Sequence, residues 1–227
     1  MAGDWVDLSQ PLFNGMPRAA AHGEPRFWVD EFRTPIPGGE NVARVTHLDM
    51  AAHVGTHVDA AIHFVPGGKT IGEYGLDAFR GPGVVLDVRR RGVVELTPAE
   101  LDKARPKIRP GDVVLLWFGY ADLYRSPGDY ADHPYLTAAG ADWLLERDIR
   151  LLGVDTVTPD LPGPHRPDGF DFPVHKRLLA KDVLIVENLG PGLGEVAGKR
   201  IEFLAAPFAI DGGDASPIVP LAREVAE

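Results

Sequence analysis

Short runs rich in Val, Ile and Leu recur at residues 42–50, 83–88, 112–118, 150–154, 182–187 and 201–210, and each has the length and composition of a β-strand. Between them stand helix starts. Thr97-Pro98-Ala99-Glu100 is a capping box with proline at the first helical position, Thr137 can cap a segment running through Leu144 and Leu145, and a third helix is expected near Pro173. Helices interleaved with six or more strands predict an α/β protein with a mixed β-sheet core and flanking helices. The first 90 residues are more β-rich than a doubly wound fold requires. Gly and Pro clusters are scattered rather than gathered into a linker, and no repeat is present, so residues 1–227 read as a single domain.

Composition narrows the function classes. With 26 Gly and 21 Pro, turns and shaped loops are numerous, while 44% apolar residues is ordinary for a globular chain. The net charge of −10 opposes binding to a polyphosphate backbone, so nucleic acid is not expected as a partner. No apolar run approaches the ~20 residues that cross a bilayer, the first seven residues carry two acids and no basic stretch, and a cytoplasmic protein is the expectation. Cysteine is absent, which removes disulfides, thiol nucleophiles and thiolate-ligated metals together.

Two motif-like stretches fail, and the serines supply no third. Gly68-Lys69-Thr70 resembles the end of a P-loop, but position 63, where its first glycine would stand, is His63. Gly192, Gly194 and Ala197 have dinucleotide-fingerprint spacing, yet a strand-like run from Ile201 leaves little room for the required helix. Ser9, Ser126 and Ser216 are the only serines, and none lies in a nucleophile elbow.

The chemistry concentrates in residues 53–64, His-Val-Gly-Thr-His-Val-Asp-Ala-Ala-Ile-His-Phe. His53, His57, Asp59 and His63 share one parity and Val54, Val58 and Ile62 the other, so an extended chain presents every ionisable group on one face. A helix would instead carry Asp59 about 200° around the axis from His57. Full extension would hold the His53 and His57 α-carbons about 13 Å apart, so the chain must bend, and Gly55 is the residue that permits it. An amphipathic strand with polar residues on one side is the plain alternative. Two imidazoles and a carboxylate that converge suit Zn²⁺, Mn²⁺ or Fe²⁺.

This segment resembles the H-x-G-T-H-x-D-x-P-x-H signature of the cyclase family, which includes bacterial kynurenine formamidases and isatin hydrolases, with Ala61 in place of the usual proline. Asp7-Leu8-Ser9-Gln10-Pro11-Leu12 and Asp214-Ala215-Ser216-Pro217 also resemble the family's two ends. The resemblance implies the swivelling β/β/α fold and one or two divalent ions per chain, zinc first and manganese next. It implies His53, His57 and Asp59 on one ion, and Asp59 as a bridge to a second held with His175 and Glu187. It also implies a homodimer or dimer-based tetramer. Phe118-Gly119-Tyr120 stands where the family commonly has Thr-Gly-Trp, and Ile218 and Val219 stand where an arginine often follows Ser-Pro. Both changes bear on substrate contacts, as does the lack of a tryptophan and a Pro-Gly turn between Met16 and Phe27.

The expected activity is hydrolysis of a carbon–nitrogen bond in a small aromatic amide, formamide or lactam. His63 is expected as the catalytic proton carrier, taking a proton from the attacking water and delivering it to the leaving nitrogen. Trp28, Trp117, Phe118 and Tyr120 are available either to line a pocket for a planar substrate or to pack in the core. A metal-assisted cyclase or dehydratase on a polyketide-like substrate, and a non-catalytic metal-containing binding protein, are the competing readings. His22, His47, His133 and His165 receive no role.

Overall fold

The computed structural model describes residues 3–226. Its strands are β1 (Val6–Asp7), β2 (Arg26–Ile36), β3 (Gly39–Asp49), β4 (His57–Asp59), β5 (Arg80–Asp87), β6 (Glu95–Leu96), β7 (Val113–Trp117), β8 (Tyr135–Leu136), β9 (Leu151–Val154), β10 (Leu184–Glu187), β11 (Arg200–Leu204), β12 (Ala215–Pro217) and β13 (Leu221–Glu224). Nine of them form one mixed sheet in the order β1-β13-β11-β5-β7-β9-β10-β4-β12. The block β5-β7-β9-β10 is parallel, and the strands that flank it on both sides pair antiparallel. Parallel strands covered on both faces read as unbroken apolar runs, which is why Val113–Trp117, Leu151–Val154 and Leu184–Glu187 stand out in the sequence.

The helices α1 (Pro98–Lys103), α3 (Ala138–Leu145) and α4 (Pro173–Leu179) arise where the sequence places them, with a short α2 (Pro127–Ala131) added. Thr97 and Glu100 form the reciprocal capping box of α1, and Thr137 caps α3 by accepting from the Gly140 amide. Leu101, Ala141, Leu144, Val174 and Leu178 from α1, α3 and α4 pack on one face of the sheet with Val84, Leu86, Val114, Leu116, Leu152 and Val154. The opposite parity, Val85, Val113, Leu115, Leu151, Leu184 and Val186, packs with Leu8, Leu193, Ile201 and Phe203 on the other face. Two cores on either side of one sheet give the layered α/β architecture that the element pattern predicts.

One strand expectation is corrected in its length and another is met outside the main sheet. The run 201–210 leaves the sheet after Leu204, since Pro207 has no amide to donate and makes only an isolated bridge with Ile218. The run 42–50 is a strand outside the main sheet. As β3 it pairs along its full length with β2, Arg26↔Asp49 through Ile36↔Gly39, in a projecting two-stranded hairpin with no buried residue in either strand.

Candidate active site

The segment 53–64 bends where the spacing argument requires. His53 lies in a turn, Gly55 takes φ +75°, His57 and Asp59 occupy the short strand β4, and residues 61–63 form a 3₁₀ turn rather than a continuing strand. His63 therefore reaches the cluster from a turn and not by two further strand steps. β4 lies between β10 and β12, antiparallel to both, and the register sets Glu187 directly opposite His57. Cross-strand partners share a face, so His57, Asp59 and Glu187 all look toward the helix layer. His175 comes from the first turn of α4 on that side.

The backbone around these residues is tied by side chains. His57 Nδ1 donates to the Gly55 carbonyl at 2.9 Å, which leaves Nε2 as its free nitrogen. Asn188, in the left-handed region at φ +57°, donates to the same carbonyl at 3.0 Å, and its own Oδ1 accepts from the buried Tyr130 hydroxyl at 2.9 Å. Thr56 donates to the Asn188 carbonyl at 2.7 Å. The turn carrying His53 and the strand end carrying Glu187 are thereby fixed to each other.

Donor atoms converge on Asp59, which is fully buried. Its Oδ1 lies 2.8 Å from His53 Nδ1 and 3.3 Å from His57 Nε2, and its Oδ2 lies 3.5 Å from His175 Nε2. Glu187 closes the ring, with Oε1 3.1 Å from His175 Nε2 and Oε2 3.3 Å from His57 Nε2. Yet His57 Nε2, both Asp59 oxygens and Glu187 Oε1 are buried without a hydrogen-bond partner of acceptable geometry. Buried polar atoms left unpaired are costly, and lone pairs facing a common centre fit a cation. His53, His57 and Asp59 offer one set of ligand atoms within 4.8 Å of each other, and Asp59, His63 and His175 offer another.

The electrostatics of the cluster agree with that fit. Complete burial works against charge on His57, but the Asp59 and Glu187 carboxylates outweigh it and raise His57 to about 10. His175 is likewise buried, and Asp160, Asp59 and Glu187 lift it well above the ordinary imidazole value. Asp59 and Glu187 are held below the ordinary carboxylate range by the same imidazoles, against the effect of burial. Protons on the histidines here supply the positive charge that a divalent ion would supply in their place.

Two acids that the sequence did not single out complete the surroundings. Asp160, buried, accepts from His175 Nδ1 at 2.6 Å and from the amides of Val174 and His175 at 3.0 and 3.1 Å. It therefore caps α4, whose own N-cap residue, Phe172, lends no side-chain bond, and it turns His175 Nε2 toward Asp59. Asp214 sits with Oδ2 2.9 Å from His53 Nε2 and 3.3 Å from His63 Nδ1. Burial, opposed by Asp59 and reinforced by His53 and His175, keeps His63 below the ordinary imidazole value. A neutral ring at working pH can accept a proton.

His53, His63, His175 and Glu187 line a cavity of about 730 Å³. Its aromatic lining is Phe64, Tyr130 and Phe172, while Trp28, Trp117, Phe118 and Tyr120 do not line it. Phe118 and Tyr120 are buried in the core, Trp117 packs under Arg89 and Trp28 stands on the hairpin. Phe64, tilted, and Phe172, edge-on, pack near His175, with ring centroids 4.9 and 6.2 Å from it. Phe172 holds φ +48°, a strained conformation for a bulky residue that places its ring against the cavity. Two of the four histidines without an assigned role, His22 and His133, line the cavity as well.

Comparison with known proteins converges on one family. The family model described as "Putative cyclase" matches residues 6–161. The chain is 30% identical to the kynurenine formamidase of Bacillus thuringiensis subsp. konkukian (strain 97-27) over 217 residues, 95% of each chain. The solved isatin hydrolase A from Labrenzia aggregata bound to benzyl benzoate superposes with a TM-score of 0.81 at 27% identity, covering 98% of this chain and 94% of that one. A structure named as a potential metal-dependent hydrolase with cyclase activity gives 0.74 at 26% identity, covering 99% of both chains.

Proposed function

The chain belongs to the cyclase family, and on that premise we propose that it is a metal-dependent hydrolase that cleaves the C–N bond of an aryl formamide, amide or lactam. The observation that carries this reading is the set of orphaned donor atoms around Asp59, within reach of His63 and beside an aromatic-lined cavity. His53, His57, Asp59, His175 and Glu187 would hold one or two divalent ions; nitrogen and carboxylate donors suit zinc, manganese and iron alike, and the order proposed, zinc first and manganese next, is the one the family resemblance implies. An ion bound there supplies Lewis acidity, which polarises a carbonyl and lowers the pKa of water.

The remaining work falls to side chains. Asp214 beside Nδ1 fixes the His63 tautomer and leaves Nε2 as the acceptor. In that role His63 takes a proton from the attacking water and returns it to the nitrogen as the C–N bond breaks. Phe64 and Phe172 hold the aryl ring flat, and Asp160 keeps His175 aimed at the centre.

The test is metal analysis of untagged protein, with hydrolysis of N-formylkynurenine and isatin measured before and after chelation. One or two ions per chain, activity that follows the metal, and products that together carry one added water (amine plus formate from N-formylkynurenine, a single ring-opened acid from isatin) support the reading. His63→Ala should lose turnover by about 10²- to 10⁴-fold and keep its metal, whereas His57→Ala and Asp59→Ala should lose both. Loss of water from the substrate, or no mass change on turnover, would move the chain to the cyclase reading.

The same proposal includes a homodimer, a single domain and a cytoplasmic location. The location rests on the acidic, cysteine-free composition, and no helix among the described residues is long and apolar enough to cross a membrane. The dimer rests on the β2–β3 hairpin. One of its faces carries Trp28, Phe32, Ile36, Ala43 and Val45, and the other carries Val29 and Leu48, all exposed. A two-stranded ribbon is marginal alone in water, and a second copy of the chain offers the cover it lacks. Phe32→Glu should shift the sedimentation of the protein to that of a monomer, and an unchanged oligomer would remove the hairpin from the interface.

A further inference from the structure

The lining of the cavity beside the Asp59 cluster includes a cation whose charge no ion pair meets. Arg18 and Arg166 are the two arginines of the lining. Arg18 is paired with Glu24, but Arg166 makes no ion pair among the described residues. Its Nε donates to the Leu161 carbonyl at 2.7 Å, and its guanidinium carbon lies 4.5 Å from the Phe172 ring centroid and 5.3 Å from that of Phe170. Those contacts fix the plane of the group and leave its two terminal nitrogens uncommitted. Burial works against the Arg166 charge, relieved only at a distance by Asp160 and Glu187. Asp160 is committed to His175, and Glu187 belongs to the metal cluster, so neither carboxylate is available as a partner.

The other lining groups do not replace it. His22 packs against His53 and belongs to the surroundings of the metal cluster, and burial takes His133 down to about 4, so that it is neutral at pH 7. Arg166 is thus the positive group of the wall without a counter-ion. A half-buried guanidinium with two free terminal nitrogens is a fork built for a carboxylate. Phe172 has both Arg166 and His175 in contact range, with Phe64 tilted beside it, so an aryl ring packed on Phe172 lies within reach of the metal cluster and of Arg166.

We propose that Arg166 is a specificity-determining residue that binds a carboxylate on the substrate, so that the preferred substrates are aryl amides or formamides carrying a second, anionic group. This rests on the hydrolase reading for the reaction, while the anion site itself does not depend on turnover. The lactam isatin, which has no carboxylate, is then a poorer substrate than an open-chain anionic amide.

The test is titration calorimetry of the zinc-loaded protein with hippurate and with its neutral counterpart hippuramide, repeated on Arg166→Gln and Arg166→Lys. Hippurate should bind about 10- to 100-fold more weakly to Arg166→Gln, with hippuramide changed by less than about threefold, as expected for loss of a charged hydrogen bond. Arg166→Lys should recover part of the difference, since it keeps the charge and loses the fork. Equal hippurate affinity in wild type and Arg166→Gln overturns the proposal, as does failure of the wild type to prefer hippurate over hippuramide. Alongside, kcat/KM is measured for an N-formyl aminobenzoate and for formanilide. If the wild type hydrolyses neither while the binding difference holds, the hydrolase reading fails and the anion site stands. If both are hydrolysed and Arg166→Gln leaves their ratio unchanged, the reaction stands and the carboxylate site fails.

Discussion

Replacing Asp160 by Asn separates two roles that this one side chain fills. The carboxylate accepts three bonds, from the Val174 amide on Oδ1 and from the His175 amide and Nδ1 on Oδ2. An asparagine has one acceptor oxygen, so it can serve either the Oδ2 pair or the Val174 amide, and its NH₂ then faces a donor. With the oxygen at the Oδ2 position, His175 keeps its tautomer but loses a charged acceptor, and one buried amide of α4 goes unpaired. Loss of such an outer partner of a ligating histidine costs about 10- to 100-fold in metal affinity, about 1.4–2.7 kcal/mol. The cap contributes a further ~1 kcal/mol to folding, a melting shift of about 2–4 °C for a chain of this length. Competition for zinc against a chromogenic chelator at pH 7.5 reads the first quantity, and thermal unfolding of the metal-free protein reads the second. A zinc affinity within threefold of wild type, with the melting shift present, would reduce Asp160 to a helix cap and refute its role in aiming His175.

Two further outcomes follow from packing and burial. His133 is buried and titrates at about 4, so the folded state favours its neutral form. The stability from that preference is complete above pH 6.5 and is lost as the pH falls toward 4, about 3 kcal/mol in all. His133→Gln should reduce the difference in denaturant-unfolding free energy between pH 7 and pH 4 by that amount, and a pH dependence identical to wild type would rule out His133 as its source. Gly190→Ala would place a methyl group 2.1 Å from the Ser9 carbonyl oxygen, which lies on backbone and cannot swing away. Unfolding should become easier by about 2 kcal/mol or more, and an unchanged melting temperature would mean that the chain after β1 is not seated against residue 190.

The parts of the molecule legible in the sequence are those whose partners are close along the chain or whose environment is uniform. The inner strands β7, β9 and β10 are buried on both faces and could be read from apolar runs alone. β2 could not, because Asp30, Glu31, Arg33 and Pro35 interrupt it and its partner β3 shields no core position. His53, His57 and Asp59 lie within seven residues and carry a glycine where the bend falls, so parity and reach suffice to join them. His175 and Glu187 needed the family resemblance, since a histidine in an apolar helix and a glutamate at a strand end are ordinary residues. Asp160 is a lone acid in a loop, and Asp214 was legible only as the start of a segment resembling the family's C-terminal end, with no role attached. Their meaning lies in contacts across 15 residues to His175, 161 to His53 and 151 to His63, which no local pattern records.

The twelve-residue interval between His175 and Glu187 has a geometric cause. His175 stands in the first turn of α4, the helix runs back over the sheet to Leu179, and the chain turns through residues 180–183 into β10, which ends at Glu187. Four helical steps at ~1.5 Å carry the chain down about 6 Å, and three strand steps at ~3.3 Å return it by about 10 Å, with the turn making up the difference. Both side chains therefore meet at the carboxyl end of β10, the end at which open α/β sheets form their crevices. β4, pairing antiparallel to β10, adds His57 and Asp59 at that end because its register is fixed by Glu187↔His57. A one-residue slip of β4 would turn His57 and Asp59 to the opposite core and bring Val58 into the site. The ligand set is thus encoded as much by strand register and the length of one helical crossover as by the residues themselves.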